Sequence, residues 1–163
     1  MKKKIIITGG LGYIGTELCK LYSGVSWNNQ IVVIDNRFIS ERVNQIRNWN
    51  MEFIHGDILD KELINKYCKD ADVIHHLAGI TEVPRTKSES SEEKDKKIKL
   101  VAQEGTQNII DVISDKCKIV FPSTHVVYEG IDKVKDNISE DEGLKPVLSY
   151  SVSKAMNEKQ LKK

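Results

Sequence analysis

Short aliphatic runs recur along the chain, and each has the length of a β-strand. They are Ile5–Thr8, Gln30–Asp35, Met51–His55, Asp72–Leu77 and Lys118–Ser123. Their residues are apolar at successive positions rather than at alternate ones, which is typical of strands covered by helices on both faces. The pattern therefore predicts a parallel sheet.

Segments compatible with helices follow these strands. They are Tyr13–Ser23, Ser40–Trp49, Asp60–Cys68, a long segment that ends near Ser114, and a last one from about Val147. This alternation of strand and helix predicts an α/β fold of the Rossmann type, in which a doubly wound parallel sheet carries helices on both faces.

The long segment has apolar residues at helical spacing along one side. They are Ile98, Val101, Ala102, Gly105, Ile109, Val112 and Ile113. A glycine inside a helix costs about 1 kcal/mol relative to alanine, so for Gly105 we expect a close approach to the sheet, with chance as the alternative.

Two polar stretches are predicted to be loops, Thr86–Lys97 before the long helix and Ile131–Leu144 near the end. The first is interpreted either as a lid over the nicotinamide end of a cofactor or as a solvated surface excursion, and the second interpretation is favoured.

The composition is that of a globular protein with a single domain, which we assign to residues 1–163. The 25 basic and 24 acidic side chains are spread along the chain, so no basic face for nucleic acid or a membrane is expected. No run reaches the roughly 20 apolar residues that cross a bilayer. The cysteines, Cys19, Cys68 and Cys117, are odd in number and far apart, which predicts free thiols, no metal site and a cytoplasmic location.

A glycine-rich turn follows the first predicted strand, with glycines at Gly9, Gly12 and Gly15. The first glycine permits a tight turn, the second lets the backbone approach a pyrophosphate, and the third allows the helix to pack against the strand. The helix behind them, which begins at Tyr13-Ile14, offers N–H groups and a positive dipole end to phosphates. The turn therefore predicts a dinucleotide site.

Asp35 ends the second strand, about 20 residues beyond the last glycine of the turn. A carboxylate there accepts the ribose hydroxyls of NAD and repels the extra phosphate of NADP, so NAD is the expected cofactor, although Arg37 leaves some room for NADP. Asn36 beside it is counted with the cofactor-binding residues. Asp57 follows the third strand at the same edge and is placed to reach the adenine, and its neighbour Ile58 is included in the same set.

Three more segments complete a recurring set of motifs. His75–Gly79 is similar to H-x-A-A/G, Phe121–Tyr128 to S-S/T-x-x-V-Y, and Tyr150–Lys154 to Y-x-x-x-K. Together with the T-G-x-x-G-x-x-G turn they resemble the extended short-chain dehydrogenases/reductases, the NAD-dependent nucleotide-sugar epimerases and dehydratases, over essentially the whole chain.

The resemblance implies roles for particular residues. Leu77, Ala78 and Gly79 border the cofactor. Tyr150 and Lys154 share a helix face, and the Lys154 ammonium is expected to favour the Tyr150 phenolate. Lys154 also holds the nicotinamide ribose, while Tyr150 takes the proton from a substrate hydroxyl as hydride leaves for NAD.

A hydroxyl before the short V-Y segment completes this set of catalytic residues. Thr124 is the favoured partner for the substrate oxygen. Ser123 is the alternative partner for this oxygen. If Thr124 has that role, Ser123 is expected to be a neighbour that forms a hydrogen bond with the backbone or the cofactor.

The chain departs from the family pattern at two positions and in length. Relatives commonly carry asparagine where Ala102 stands, and glycine where Glu129 stands, a change expected to affect the loop more than the chemistry. Extended members are about twice as long and build the sugar-nucleotide pocket from their second half. We therefore expect a truncated form whose substrate domain is missing, with an exposed sheet edge and a homodimer that buries the last and the long helix.

Three functions are compatible with these motifs. The leading one is a NAD-dependent epimerase or dehydratase that acts on a nucleotide-activated sugar by transient hydride transfer, this chain being its cofactor-binding part. The second is a non-catalytic NAD-binding or interaction module. The third is an oxidoreductase of the same superfamily that acts on a ketone or steroid-like substrate.

Overall fold

The strands of the sheet lie close to their predicted positions. In the computed structural model, which describes residues 2–81, 86–132 and 135–162, they are β1 (Lys4–Thr8), β2 (Gln30–Asp35), β3 (Glu52–His55), β4 (Val73–His76) and β5 (Lys118–Val120). They form one sheet in the order β3-β2-β1-β4-β5, and every pairing is parallel. The predicted Rossmann-type parallel fold is confirmed.

The helices alternate with the strands. They are α1 (Tyr13–Tyr22), α2 (Ser40–Asn48), α3 (Lys61–Cys68), α4 (Glu92–Ile110) and α5 (Ser149–Leu161), with short 3-10 helices at Ser23–Asn28, Lys87–Glu89 and His125–Tyr128. The chain separates into two compact units. The first contains Met1–Gly79 and Glu104–Pro122, and the second contains Ile80–Gln103 and Ser123–Lys163.

Both faces of the central strands β1 and β2 are buried, as a doubly wound sheet requires. Side chains alternate between the faces along a strand. Ile5 and Ile7 belong to a cluster that includes Cys19 of α1 and Val43 of α2. Ile6 points to the opposite face and is also fully buried, with its register partner on β2.

The strand order creates a switch point between β1 and β4. β2 and β3 add successively to one side of β1, and β4 pairs on its other side, with Thr8 in register with His76. Ligands of open α/β sheets bind in the crevice outside the carboxyl ends of strands at such a point. The glycine turn leaves β1 at this position.

The start of α4 corrects one loop prediction. Residues 92–97 of the stretch expected to be a loop are helical, because Ser91 caps the helix and its hydroxyl accepts from Lys94 N at 3.3 Å. Acidic residues in the first turn interact favourably with the helix dipole and stabilise the helix. Glu92 also forms an ion pair with Lys96 at 2.6 Å. The capping signal was in the sequence, but the polar composition outweighed it.

Other boundaries also differ from the prediction. α4 ends at Ile110, so Val112 and Ile113 lie beyond it. β5 ends at Val120, two residues before Pro122, which has no N–H to donate to a strand ladder. The short helix His125–Tyr128 and the one at Ser23–Asn28 were not predicted. The described part of Ile131–Leu144 contains neither helix nor strand, in agreement with the prediction.

Candidate cofactor and catalytic site

The glycine turn is built from backbone contacts that exclude side chains. Gly9 has φ +69°, a left-handed conformation, and a Cβ placed on it would lie 2.7 Å from Ala78 N. A Cβ on Gly15 would lie 2.5 Å from Gly9 O, so α1 packs against the turn itself rather than against β1 as expected. Gly9 N donates to Ile34 O at 2.7 Å, and Gly12 N to Gly9 O at 3.0 Å.

The first turn of α1 faces outward. Gly12 is its N-cap and has no side chain to bond the leading N–H groups. Tyr13 and Ile14 are 83% and 61% exposed, which is high for large apolar residues. A helix start without a side-chain cap fits a phosphate.

Asp35 is buried at the carboxyl end of β2 and bonds the turn directly. Its Oδ2 accepts from Leu11 N at 2.9 Å, and its Oδ1 accepts from Arg37 N at 2.9 Å. The Arg37 guanidinium adds bonds of 3.1 and 3.3 Å to the same carboxylate. Arg42 donates to Leu11 O beside it. The sequence identified Asp35 as the acidic residue, but it did not reveal the ion pair between Asp35 and Arg37.

Asn36 and Asp57 are brought together at the ends of β2 and β3. Asn36 Nδ2 donates to Asp57 Oδ2 at 2.9 Å, and Asp57 Oδ1 accepts from Leu59 N at 2.9 Å. Ile58 is buried, and its carbonyl accepts from Asn108 Nδ2 at 3.0 Å. The acidic and amide side chains therefore form one polar edge, while the Ile58 side chain lies in the core.

The segment Leu77–Gly79 is held against β1 through a buried network that the sequence did not reveal. Leu77 N donates to Thr8 O at 3.1 Å, and Ala78 N to Thr8 Oγ1 at 3.2 Å. The same hydroxyl contacts His76 Nδ1 at 2.9 Å, and His76 Nε2 contacts Thr106 Oγ1 at 3.0 Å. His76 therefore has a structural position between two threonines.

His75 is not part of the hydrogen bonds described for this network and has a different partner. Its Nε2 contacts Tyr22 Oη at 2.8 Å. Burial, and then the nearby Lys118 charge, lower the pKa of His75, which favours the neutral ring. His75 thus also has a packing role in the first unit.

Tyr150 and Lys154 lie one helical turn apart in α5 of the second unit. Lys154 Nζ is 5.9 Å from the centre of the Tyr150 ring. Burial lowers the pKa of Lys154 to about 8, and burial raises the pKa of Tyr150 above its ordinary value. This direction is opposite to the acidic phenol expected from the sequence, because burial disfavours the charged phenolate.

Thr124 and Ser123 have different partners in the same unit. Thr124 is the N-cap of the helix His125–Tyr128, and its hydroxyl accepts from Val126 N at 3.4 Å. α5 packs against this short helix. Ser123 is exposed and donates to Glu158 of α5. The sequence identified Glu129 as a departure from the family pattern but did not reveal its contact, which is between its carboxylate and the start of α5.

Among the described residues, no group of three or more His, Cys, Asp or Glu is arranged to hold a metal ion. None of the described helices is both long and apolar enough to cross a membrane.

A parallel sheet of this order, with a glycine turn leaving β1 and a carboxylate at the end of β2, belongs to the Rossmann-type α/β class. The model of the 3-beta hydroxysteroid dehydrogenase/isomerase family matches residues 6–163. The chain therefore belongs to that family, within the extended short-chain dehydrogenases/reductases, and corresponds to the N-terminal portion of its relatives. The predicted family is confirmed.

Two curated relatives illustrate the similarity. CDP-paratose 2-epimerase of Salmonella typhi is 32% identical over 84% of this chain and 41% of that protein. UDP-N-acetyl-alpha-D-glucosaminuronate decarboxylase of Bacillus cytotoxicus is 32% identical over 78% of this chain and 38% of that protein. The chain thus spans about two fifths of the length of these relatives.

Solved structures give the same result for the fold. UDP-glucuronic acid 4-epimerase from Bacillus cereus has a TM-score of 0.80 at 25% identity, covering 99% of this chain and 51% of that chain. It was crystallised as a tyrosine-to-phenylalanine mutant with UDP-4-deoxy-4-fluoro-glucuronic acid and NAD. UDP-N-acetylglucosamine 4-epimerase from Methanobrevibacter ruminantium M1 has a TM-score of 0.78 at 26% identity, covering 99% and 50% of the two chains.

Proposed function

We propose that this chain is the NAD-binding part of an epimerase or dehydratase that acts on a nucleotide-activated sugar, with residues 1–163 as one cofactor-binding domain. The observation that carries the proposal is the uncapped start of α1 at the glycine turn, with Gly9 and Gly12 before the helix and Gly15 in its first turn, together with the buried Asp35 carboxylate bonded to Leu11 N. These are the groups that a dinucleotide needs for its pyrophosphate and its ribose.

The proposed cofactor residues of the first unit share one edge of the sheet or the turn behind it. They are Gly9, Gly12, Tyr13, Ile14, Gly15, Asp35, Asn36, Asp57, Ile58, Leu77, Ala78 and Gly79. In the second unit Ser123, Tyr150 and Lys154 complete the set. NAD, when bound, supplies a hydride acceptor and donor.

The proposed chemistry of the chain's own residues is proton transfer at a substrate hydroxyl. Tyr150 Oη takes the proton, and the Thr124 hydroxyl bonds the same oxygen. Lys154, with its pKa near 8, remains largely protonated at neutral pH and holds positive charge beside the phenol. Because the pKa of Tyr150 is raised, the phenol is protonated in the resting state, and it has to release its own proton to solvent before Oη can accept the proton of the substrate hydroxyl.

The proposed substrate class comes from the relatives, which are named for CDP-, UDP- and dTDP-linked sugars. A second candidate is a hydroxysteroid substrate, which the description of the matching family favours. The two are separated by incubating the longest form that the reading frame encodes with NAD and either class of substrate. Epimerised or dehydrated sugar nucleotide is followed by NMR, because the hydride returns to the sugar and no net NADH forms, whereas oxidation of a 3-beta-hydroxysteroid is followed as net NADH formation. Turnover of the steroids alone would overturn the sugar assignment.

The cofactor assignment is tested by titrating the folded chain with NADH and following its fluorescence. Saturable binding is expected, and Asp35→Arg should lose most of it, because the arginine removes the ribose acceptor. Glu104→Gln, an exposed change on α4, is the matched control and should bind like the parent. Absence of binding by the parent, or equal binding by Asp35→Arg, contradicts the NAD assignment.

We also propose a homodimer and a cytoplasmic location. The dimer would bury the long helix α4, on which Leu100 is 51% exposed, and the location follows from the three cysteines, which are free thiols. The molar mass from light scattering tests the dimer, and a monomer at micromolar concentration would contradict it.

A further inference from the structure

The start of α5, the helix that carries Tyr150 and Lys154, has no cap of its own. Its N-cap residue is Leu148, whose side chain cannot accept a hydrogen bond. A residue from an earlier loop instead bonds the backbone of the N-cap residue and of the residue before it. Glu129 Oε1 accepts from Val147 N at 2.8 Å, from Leu148 N at 2.7 Å and from the hydroxyl of Ser151.

Glu129 is fixed in that position by the backbone around it. It follows the helix His125–Tyr128 directly, and its N–H donates to Val126 O at 3.2 Å. Lys145 N donates to Val127 O, and Gly130 N to Lys145 O, both at 2.9 Å. A Cβ on Gly130 would lie 2.6 Å from Lys145 O, so this close approach of the two segments requires glycine directly after Glu129.

The charge of Glu129 suits the place that it occupies. A carboxylate is favoured at a helix N-terminus, where unpaired N–H groups and the dipole present positive charge. Burial by itself raises the pKa of Glu129, but the bonds from Ser151, Leu148 N and Val147 N bring the pKa below its ordinary value. The ionised form is therefore the one that holds the helix start.

We propose that Glu129 is a positioning residue, whose carboxylate caps α5 and fixes Tyr150 and Lys154 relative to the short helix that begins at Thr124. Thr124 caps that short helix at one end and Glu129 follows it at the other, so a continuous series of hydrogen bonds and backbone joins Thr124 to the helix that carries Tyr150 and Lys154. The functional part of this inference rests on the roles proposed above for those residues.

The experiment compares Glu129→Gln with the parent and with the exposed control Glu104→Gln. Amide hydrogen exchange of Val147 and Leu148 is measured by NMR, and the pKa of Lys154 is followed through the chemical shift of its Cε, assigned with Lys154→Met. In Glu129→Gln the two amides should exchange about tenfold faster, and the Lys154 pKa should rise from about 8 toward 10.5 as water reaches a loosened helix start. The control should change neither.

Two results would overturn the inference. Unchanged exchange of Val147 and Leu148 in Glu129→Gln would show that the carboxylate does not cap α5. Faster exchange with an unchanged Lys154 titration would show a cap that does not position the site. Failure of the parent to bind NADH is a separate result, which would defeat the proposed function and not the cap.

Discussion

The carboxylate of Asp35 accepts four hydrogen bonds, and three of them come from Arg37. An ionised carboxylate has about four acceptor positions. The ribose hydroxyls of a dinucleotide can therefore bind Asp35 only if the Arg37 guanidinium moves away from the carboxylate. The Arg37 side chain is 53% exposed, which leaves it room to move outward. The balance between NAD and NADP at this site therefore depends on Arg37 as well as on Asp35.

Replacing Arg37 by leucine should shift cofactor preference toward NADH. The leucine frees the Asp35 carboxylate and removes the positive charge that could bond the extra phosphate of NADPH. We expect the ratio of NADPH to NADH dissociation constants to rise about tenfold, which corresponds to about 1.4 kcal/mol. Arg47→Leu, an exposed change on α2, is the control, and an unchanged ratio in Arg37→Leu would contradict this role.

Replacing Lys154 by methionine should stabilise the chain at neutral pH. The pKa of Lys154 is depressed to about 8 by burial, so the charged form opposes folding. That cost is fully present below pH 8, decreases as the pH rises from 8 to 10.5, and is lost above 10.5, where the lysine is neutral in both folded and unfolded states. Allowing for solvent screening at a half-buried site, we expect a gain of about 1–2 kcal/mol at pH 7.

The measurement is the difference in free energy of unfolding between Lys154→Met and the parent, from urea titrations at several pH values. The difference should shrink steadily between pH 8 and 10.5. Lys159→Met, at an exposed position of the same helix, should show no such trend. A constant difference across this range would contradict the assigned pKa.

At the scale of elements, α4 meets the loop after β3 through Gly105. A Cβ on Gly105 would lie 2.3 Å from Cδ1 of Ile58, so the glycine makes room for this side chain. The expected close approach is found, and the neighbour is a loop residue rather than a strand of the sheet. The neighbouring Asn108 bonds the Ile58 carbonyl and holds the same loop.

Gly105→Ala should destabilise the chain although alanine is the better helix former. The propensity gain is about 1 kcal/mol, whereas overpacking against Ile58 costs typically 1–3 kcal/mol. In Gly105→Ala/Ile58→Ala the overpacking is relieved, so the double variant should be more stable than the sum of the two single effects. Urea unfolding of all four forms measures this coupling, and strict additivity would contradict the contact.

For the whole molecule, the proposed cofactor residues divide between the two compact units. The single-domain prediction requires both units to unfold together, and NAD should then stabilise that one transition. At a concentration of 100 times its dissociation constant, NAD should add about 2.7 kcal/mol and raise Tm by roughly 5–10 °C.

Differential scanning calorimetry with and without NAD tests this expectation, with Asp35→Arg as the control that should show little shift. Two separate transitions would contradict a single domain. An equal Tm shift in Asp35→Arg would mean that NAD binds elsewhere.

The sequence by itself determined the strands, most of the helices and the glycine turn. These follow from local rules, because an apolar run of strand length, or a glycine that must adopt a positive φ, needs no knowledge of distant residues. Gly9 is such a case, and so is the spacing that places Tyr150 and Lys154 one turn apart. The motifs also identified the family correctly.

Tertiary structure decided which polar groups meet. The guanidinium of Arg37 on Asp35, the position of His76 between Thr8 and Thr106, and the carboxylate of Glu129 at the start of α5 all depend on how the folded backbone brings these groups together. The pKa of Tyr150 is raised for the same reason, since burial is a property of the packed chain and not of the Y-x-x-x-K spacing. A linear pattern records which groups are present, but the cost of burying them and the partners that offset it arise only when the chain folds.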